Sequence, residues 1–262
     1  MVSLRLGQVG VEGLPAVWDL STRPIHALVV GETGSGKSWL VRDLALQASD
    51  ECEVWIADGK GGPDFVHCPA SRLALGAYES SELLDEAADE VERRLAVARR
   101  MPDGKVGAPP LVLVVDELAA LQVRHRDEET KAHRERRERI HGALCEIALV
   151  ARAVDVHLLA ALQRPDTEAI AGAARDQIGL RIALGWISVD GARMLGWGPL
   201  SVRADLAPGE GWISGYAGHQ GPPQPFSARR DSIPMKPRWW RKARFQPGSA
   251  PRHSARPRGD EG

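Results

Sequence analysis

The sequence has little cysteine, few aromatic residues and no long apolar run. Cys52, Cys68 and Cys145 are its three cysteines. Their spacing fits neither a disulfide framework nor a metal-ligand set, so reduced and mostly buried thiols are expected. No stretch approaches the ~18 consecutive apolar residues that a membrane span needs. The first residues lack a basic segment followed by an apolar one, so a cytoplasmic protein without a secretory leader is expected. No internal repeat is visible.

What is present suffices for a sizeable core. The chain has 262 residues, 43% hydrophobic and 26% charged, enough for one large α/β domain or two small ones. The net charge of −1 hides an asymmetry. From Ala228 onward ten basic residues face three acidic ones, leaving +7 there, while 24 basic and 32 acidic residues leave −8 on the rest. An acidic body with a basic tail points to a polyanionic partner for the tail.

The most informative stretch is Gly31-Glu32-Thr33-Gly34-Ser35-Gly36-Lys37-Ser38, which fits G-x-x-x-x-G-K-[ST] at every fixed position. Ile25–Val30 before it reads as a buried strand, and Trp39–Gln47 after it has apolar residues at helical spacing. A strand, a glycine-rich turn and a helix N-terminus form an anion cradle, because backbone N–H groups can turn toward a phosphate where no Cβ obstructs them. Lys37 would reach the β- and γ-phosphates of ATP, and the Ser38 hydroxyl would sit on Mg²⁺.

Its natural companion is Asp116-Glu117, delivered by Leu111-Val112-Leu113-Val114-Val115, the most hydrophobic run and a strand covered on both faces. Asp116 would hold Mg²⁺. Glu117 would polarise the attacking water, and its presence argues for hydrolysis over binding alone. A strand end with two solvated carboxylates is the plainer alternative. Gln163, after the apolar run Val156–Leu162, is placed to sense the γ-phosphate, although a surface glutamine is the ordinary reading of that residue alone. Arg152 and Arg181 are candidates for an arginine finger supplied to a neighbouring subunit.

Other segments read as Ser3–Leu6 and Ala16–Trp18 strands, a strand at Glu53–Ala57, and a helix from Ser80 to Arg100 with Ser81 as its N-cap. An apolar helix is read over 140–154, a short one near 167–174, a strand at Leu180–Leu184, a helix near Val189–Leu195 and a last strand at Glu210–Ser214. Residues 124–139 hold seven Arg or Lys against five Asp or Glu. Interleaved signs favour a solvated helix with i,i+4 pairs over a nucleic-acid patch. Strands alternating with helices give a parallel, doubly wound sheet. The Pro-, Arg- and Gly-rich residues 218–262 read as a poorly packed basic tail. Its cluster Lys236–Phe245 suits DNA phosphates and exposed bases, an anionic membrane surface, an acidic partner, or mere solvation.

With these residues in place, the chain resembles the motor domain of the FtsK/SpoIIIE family of DNA-translocating ATPases. Pro24–Gly31 resembles the family's lead-in to its phosphate loop. Ile56-Ala57-Asp58-Gly59-Lys60 resembles its Asp-Pro-Lys motif, with Gly59 in place of proline. Glu90-Val91-Glu92-Arg93-Arg94 resembles a Glu-Met-Glu-Arg-Arg segment, and Val114–Ala119 the second nucleotide motif. Ala151–Pro165 is the most family-specific stretch, with Leu162 in place of a threonine, and Leu180–Ala183 resembles Thr-Arg-Ile-Ala. The resemblance implies a RecA-like P-loop NTPase over residues 1–217, a mostly parallel sheet with helices on both faces, followed by a flexible basic tail over 218–262. It implies ATP and Mg²⁺ as cofactors, Arg152 as the finger of the next subunit's site and Gln163 as the sensor. It also implies a homo-hexameric ring threading double-stranded DNA, in conjugative transfer or in chromosome or plasmid movement, with membrane or transfer-complex proteins as further partners. Two other readings stay open: a related motor moving proteins in secretion, and a non-catalytic module whose assembly nucleotide controls.

Overall fold

The structure, a computed structural model, describes residues 2–10, 12–121, 131–163, 170, 172–198, 206–218 and 221–228. Its strands are β1 (Ser3–Val9), β2 (Leu14–Asp19), β3 (Ala27–Gly31), β4 (Glu53–Asp58), β5 (Arg72–Leu75), β6 (Leu111–Asp116), β7 (Val156–Leu162), β8 (Leu180–Leu184), β9 (Glu210–Ser214) and β10 (Gln224–Ser227). They form one sheet in the order β2-β1-β10-β9-β8-β3-β7-β6-β4-β5. From β8 to β5 every pairing is parallel, and from β8 to β2 every pairing is antiparallel. The expected mostly parallel doubly wound sheet therefore occupies one side of the chain, extended by an antiparallel flank.

The central strands β3, β6 and β7 are buried along their whole length. Alternate residues of each strand point to opposite faces, and each face has its own core. Val29, Val112 and Val114 pack with Leu40, Val41 and Leu44 of α1 (Lys37–Ala48). Val30, Leu113 and Val115 pack on the other side with Leu84 and Val91 of α2 (Ala77–Ala98), and with Ile140, Leu144 and Ile147 of α4 (Lys131–Val150). Burial on both faces explains why these strands read as continuous apolar runs. Short helices α3 (Leu118–Leu121), α5 (Gly172–Gln177) and α6 (Val189–Met194) complete the described body.

At the amino ends of the strands, His26 Nδ1 accepts a hydrogen bond from the Leu158 N–H, 3.0 Å away, tying the approach to β3 to β7. Burial holds the His26 imidazole well below its ordinary 6.5, at about 4; the neighbouring His157 adds to this and the Ala148 carbonyl opposes it. An unfolded chain would take up that proton first, so acidification from about pH 6.5 to 4 works against the fold.

Three sequence expectations are corrected. The α2 helix begins at Ala77 with Gly76 at its cap, in the left-handed region at φ 93°, so Ser81, expected as the N-cap, lies buried inside the helix. The chain enters α2 directly from β5, an edge strand whose single buried residue, Ala74, gives too weak an alternation to read. The apolar helix ends at Val150 and continues as a 3₁₀ turn, Ala151–Val154, closed by Asp155 at φ 53°. The body does not stop at 217. Strand β10 lies between β1 and β9, with Phe226 and Ala228 buried. Pro222, Pro223 and Pro225 disguise it, and Pro225 contributes its carbonyl, accepting from the Gly10 N–H at 2.9 Å. Gly7 permits the approach, because a Cβ there would collide with the Ser227 carbonyl. The rest of the basic tail, 229–262, lies outside the described residues, as do 122–130 of the charged segment. The described part of that segment is exposed helix with the expected pairs, Lys131–Glu135 at 3.5 Å and Arg134–Glu138 at 3.7 Å.

Truncation tests the revised boundary. A chain ending after Ala228 is expected to unfold cooperatively at a measurable urea midpoint. One ending after Ala217 exposes the edges of β1 and β9 and loses buried Phe226, a cost of about 3 kcal/mol or more, so its midpoint falls sharply. Equal midpoints would return the boundary to 217.

Candidate active site

The phosphate-loop sequence forms the turn between β3 and α1. Gly34 (φ 83°) and Gly36 (φ 92°) hold left-handed conformations that a side chain would strain. A Cβ at Gly36 would also press on the Gly209 amide at 2.9 Å. That amide donates to the Ser35 carbonyl at 2.7 Å, so the loop before β9 braces the cradle from outside. Helix α1 starts at Lys37 with no capping side chain and no acidic residue in its first turn. Its positive end is left for an external anion. The Ser35 hydroxyl is buried without a partner. Glu32, Thr33 and Gly34 are exposed on the rim, and Ser38 is half-buried behind Lys37.

Two strands away, β6 ends in Asp116, and the chain turns into α3 through Glu117, which takes a left-handed φ of 51°. Such a conformation is strained for a residue with a side chain; here it swings the carboxylate back toward the loop. Lys37 Nζ lies 3.4 Å from Asp116 Oδ1 and 3.9 Å from Glu117 Oε2. All three residues are buried. Burial raises the Asp116 carboxyl above its ordinary range; Lys37 opposes the shift, and Asp58 and Glu117 reinforce it. Among the described residues, no cluster of three or more His, Cys, Asp or Glu could hold a metal ion by itself. The residues that would hold a Mg²⁺ alongside substrate phosphates are Asp116, by its carboxylate, and Ser38, by its hydroxyl, since this ion is usually bound through one or two protein oxygens.

Gln163 follows β7 on the same edge. Its Nε2 donates to Thr33 Oγ1 at 3.4 Å, so it reaches across to the phosphate loop. Arg164 and Pro165 lie outside the described residues. Arg152 is elsewhere. It sits exposed on the 3₁₀ turn that precedes β7, at the far end of a seven-residue strand, about 20 Å from Gln163 at some 3.3 Å per residue. It lines a cavity of about 580 Å³ with Arg23, His26, Asp176 and Trp197. The turn is fixed from behind by Arg94, fully buried, which donates to the Val154 and Pro109 carbonyls at 3.3 and 2.9 Å while pairing with Glu90 at 2.7 Å. Arg181, the other finger candidate, is committed within its own chain. Its guanidinium donates to the carbonyls of Ile178, Leu195 and Arg175 at 2.9, 2.6 and 3.2 Å.

The structure thus gathers Gly31–Ser38, Asp116, Glu117 and Gln163 at one edge and puts Arg152 at the other. It adds residues that the site reading passed over. Asp58 is in register with Asp116 across β4 and β6. Its carboxylate accepts from the Lys60 and Gly62 N–H groups at 3.0 and 2.9 Å. Lys60 Nζ comes within 2.8 Å of Glu117 Oε2; the approach lacks hydrogen-bond direction, since that oxygen has no hydrogen-bond partner. The signal was available: Asp58–Gly62 closes a strand at the carboxyl edge, where open α/β sheets place their ligands.

A phosphate loop after a central parallel strand, with an acidic pair two strands over and a glutamine between them, defines a RecA-like P-loop NTPase fold. The comparisons narrow it. Residues 95–167 match the model of the FtsK/SpoIIIE family, a span that includes Asp116, Glu117, Arg152 and Gln163. The DNA translocase FtsK of Treponema pallidum (strain Nichols) is 28% identical over 198 residues, covering 66% of this chain and 23% of that protein. The DNA translocase SftA of Bacillus subtilis (strain 168) is 27% identical over 196 residues, covering 66% and 19%. The chain therefore spans about a fifth to a quarter of the length of these curated relatives. Among solved structures, the pCW3 conjugation coupling protein TcpA with ATPγS superposes at a TM-score of 0.72 with 23% identity, over 89% of this chain and 68% of that one. The type VII secretion ATPase EccC of Thermomonospora curvata gives 0.65 with 23% identity, over 90% and 29%. The chain is thus similar to FtsK/SpoIIIE-type motor proteins over residues 95–167, and its fold is that of these P-loop ATPases.

Glu117→Gln keeps the shape of the acid and removes its basicity. ATP affinity is expected to stay near the parent value while turnover drops by about 10²-fold or more, measured by nucleotide titration and phosphate release. Undiminished turnover would remove Glu117 from the chemistry.

Proposed function

We propose that this chain is a motor ATPase that moves along double-stranded DNA, acting in conjugative transfer or in chromosome or plasmid movement, in the cytoplasm and as a ring, by the family's usual count a hexamer. The observation that carries the ATPase reading is the buried Lys37–Asp116–Glu117 cluster at the mouth of an uncapped phosphate loop. The helix N-terminus and the loop amides bind the triphosphate, and Lys37 leaves Asp116 for the β- and γ-oxygens. Ser38 and Asp116 would hold Mg²⁺, which neutralises charge on the transferred phosphoryl group. Glu117 orients the attacking water and accepts its proton. Gln163 registers the γ-phosphate through its reach to Thr33.

Arg152 is too far from its own loop to serve it, and it is exposed. A second subunit presenting its loop against this edge would receive the guanidinium, which stabilises transition-state charge. Such a composite site makes hydrolysis depend on assembly and favours a ring. No helix among the described residues is long and apolar enough to cross a membrane; membrane or transfer-complex proteins are further partners in this reading. The family match and the two DNA translocases support duplex DNA as the track.

The test is ATP hydrolysis with and without duplex DNA across a salt series. Several-fold stimulation that fades with salt is expected, since phosphate contacts release counterions. An assembled, active protein indifferent to duplex DNA at low salt would overturn the DNA track.

A further inference from the structure

We propose that Lys60 is a positioning residue for hydrolysis, one that pins the Glu117 carboxylate at the mouth of the site. Glu117 is 3% exposed, and Lys60 Nζ, at 2.8 Å, is nearer to its Oε2 than Lys37 at 3.9 Å. Lys37 is also shared with Asp116 and, in the proposed reaction, leaves for the phosphates. Lys60 then remains as the cation beside the glutamate.

The backbone under Lys60 is built for the task. Asp58 clasps the turn from both sides through the Lys60 and Gly62 N–H groups. The Gly59 N–H donates to the Asp116 carbonyl at 3.1 Å, which a proline at 59 has no hydrogen to do. Gly59 also lies close against the turn and helix that follow β6: a Cβ there would meet the Glu117 carbonyl at 3.0 Å and Leu121 Cδ2 at 2.9 Å. The glycine that departs from the family's Asp-Pro-Lys pattern therefore welds the Lys60 turn to the strand end bearing both acids. The Lys60 side chain itself is half-exposed, so its head reaches Glu117 from the solvent side and covers it. Glu117 stands with a left-handed backbone at the turn between β6 and α3, and the ammonium groups of Lys60 and Lys37 lie beside its carboxylate.

The inference rests on Glu117 being the base of the proposed ATPase, and two readouts separate them. The first is steady-state ATP hydrolysis by Lys60→Met and Lys60→Arg. Lys60→Met is expected to lose about 10- to 100-fold in kcat, as for a misaligned reacting group, with KM and nucleotide affinity little changed; Lys60→Arg restores most of the loss. An unchanged kcat overturns the proposal. So does a KM that rises by the same factor, which would place Lys60 on the nucleotide. The second readout needs no activity. Carbodiimide labelling of Glu117 in the nucleotide-free protein, read by mass spectrometry, is expected to rise several-fold in Lys60→Met, and equal labelling overturns the proposal. If the parent protein hydrolyses no ATP, the proposed function falls while labelling still decides whether Lys60 holds Glu117.

Discussion

Buried opposite charge is what the carboxyl edge of this sheet depends on. Lys37, Asp116 and Glu117 are all removed from water, and each alone would carry a desolvation cost of several kcal/mol. Together they persist, but with carboxylates in excess, and Asp116 shows it in a carboxyl pushed up by burial and by its acidic neighbours. Such a cluster is primed for a partner that carries both signs. In the proposed reaction a triphosphate with its divalent cation would give Lys37 a new anion and Asp116 a new cation at once. The parallel register fixes this arrangement, since Asp58 and Asp116 stand opposite each other across β4 and β6.

The second constraint is the length of β7. The turn before it carries Arg152 and its end leads to Gln163, so the proposed finger and the proposed sensor stand on opposite rims of one sheet. A single copy cannot close its own site with that arginine. Arg94 reinforces the separation, spanning α2, the Pro109 carbonyl and the turn that presents Arg152. In the proposed assembly the same strand would join one subunit's Gln163 to the Arg152 it lends its neighbour.

Much of this was legible because it is local. The Gly31–Ser38 pattern, the apolar strand before Asp116 and the run before Gln163 each announce themselves by periodicity and turn chemistry, and the structure puts them where those patterns say. What stayed hidden is contact between distant segments. Lys60 touches Glu117 because β4 lies beside β6, and strand order is not written in either segment. β10 was lost because three prolines mask a strand whose pairing needs Gly7, more than two hundred residues earlier. Arg152 and Arg181 look alike as residues. Their neighbours separate them: three backbone carbonyls bind Arg181, while Arg152 is exposed at the surface.

The claim that two copies share each site is tested most directly by mixing two variants. Arg152→Ala keeps an intact loop and acid but lends no cation; Glu117→Gln lends the cation but cannot activate water. Each alone should be nearly inactive, given that a finger contributes about 10³- to 10⁵-fold. Mixed before assembly, they should recover ATP hydrolysis at the interfaces that pair an intact loop with an intact arginine. Mixed assemblies that stay as inactive as either parent, or an Arg152→Ala protein that hydrolyses at the full rate, would contradict the shared site.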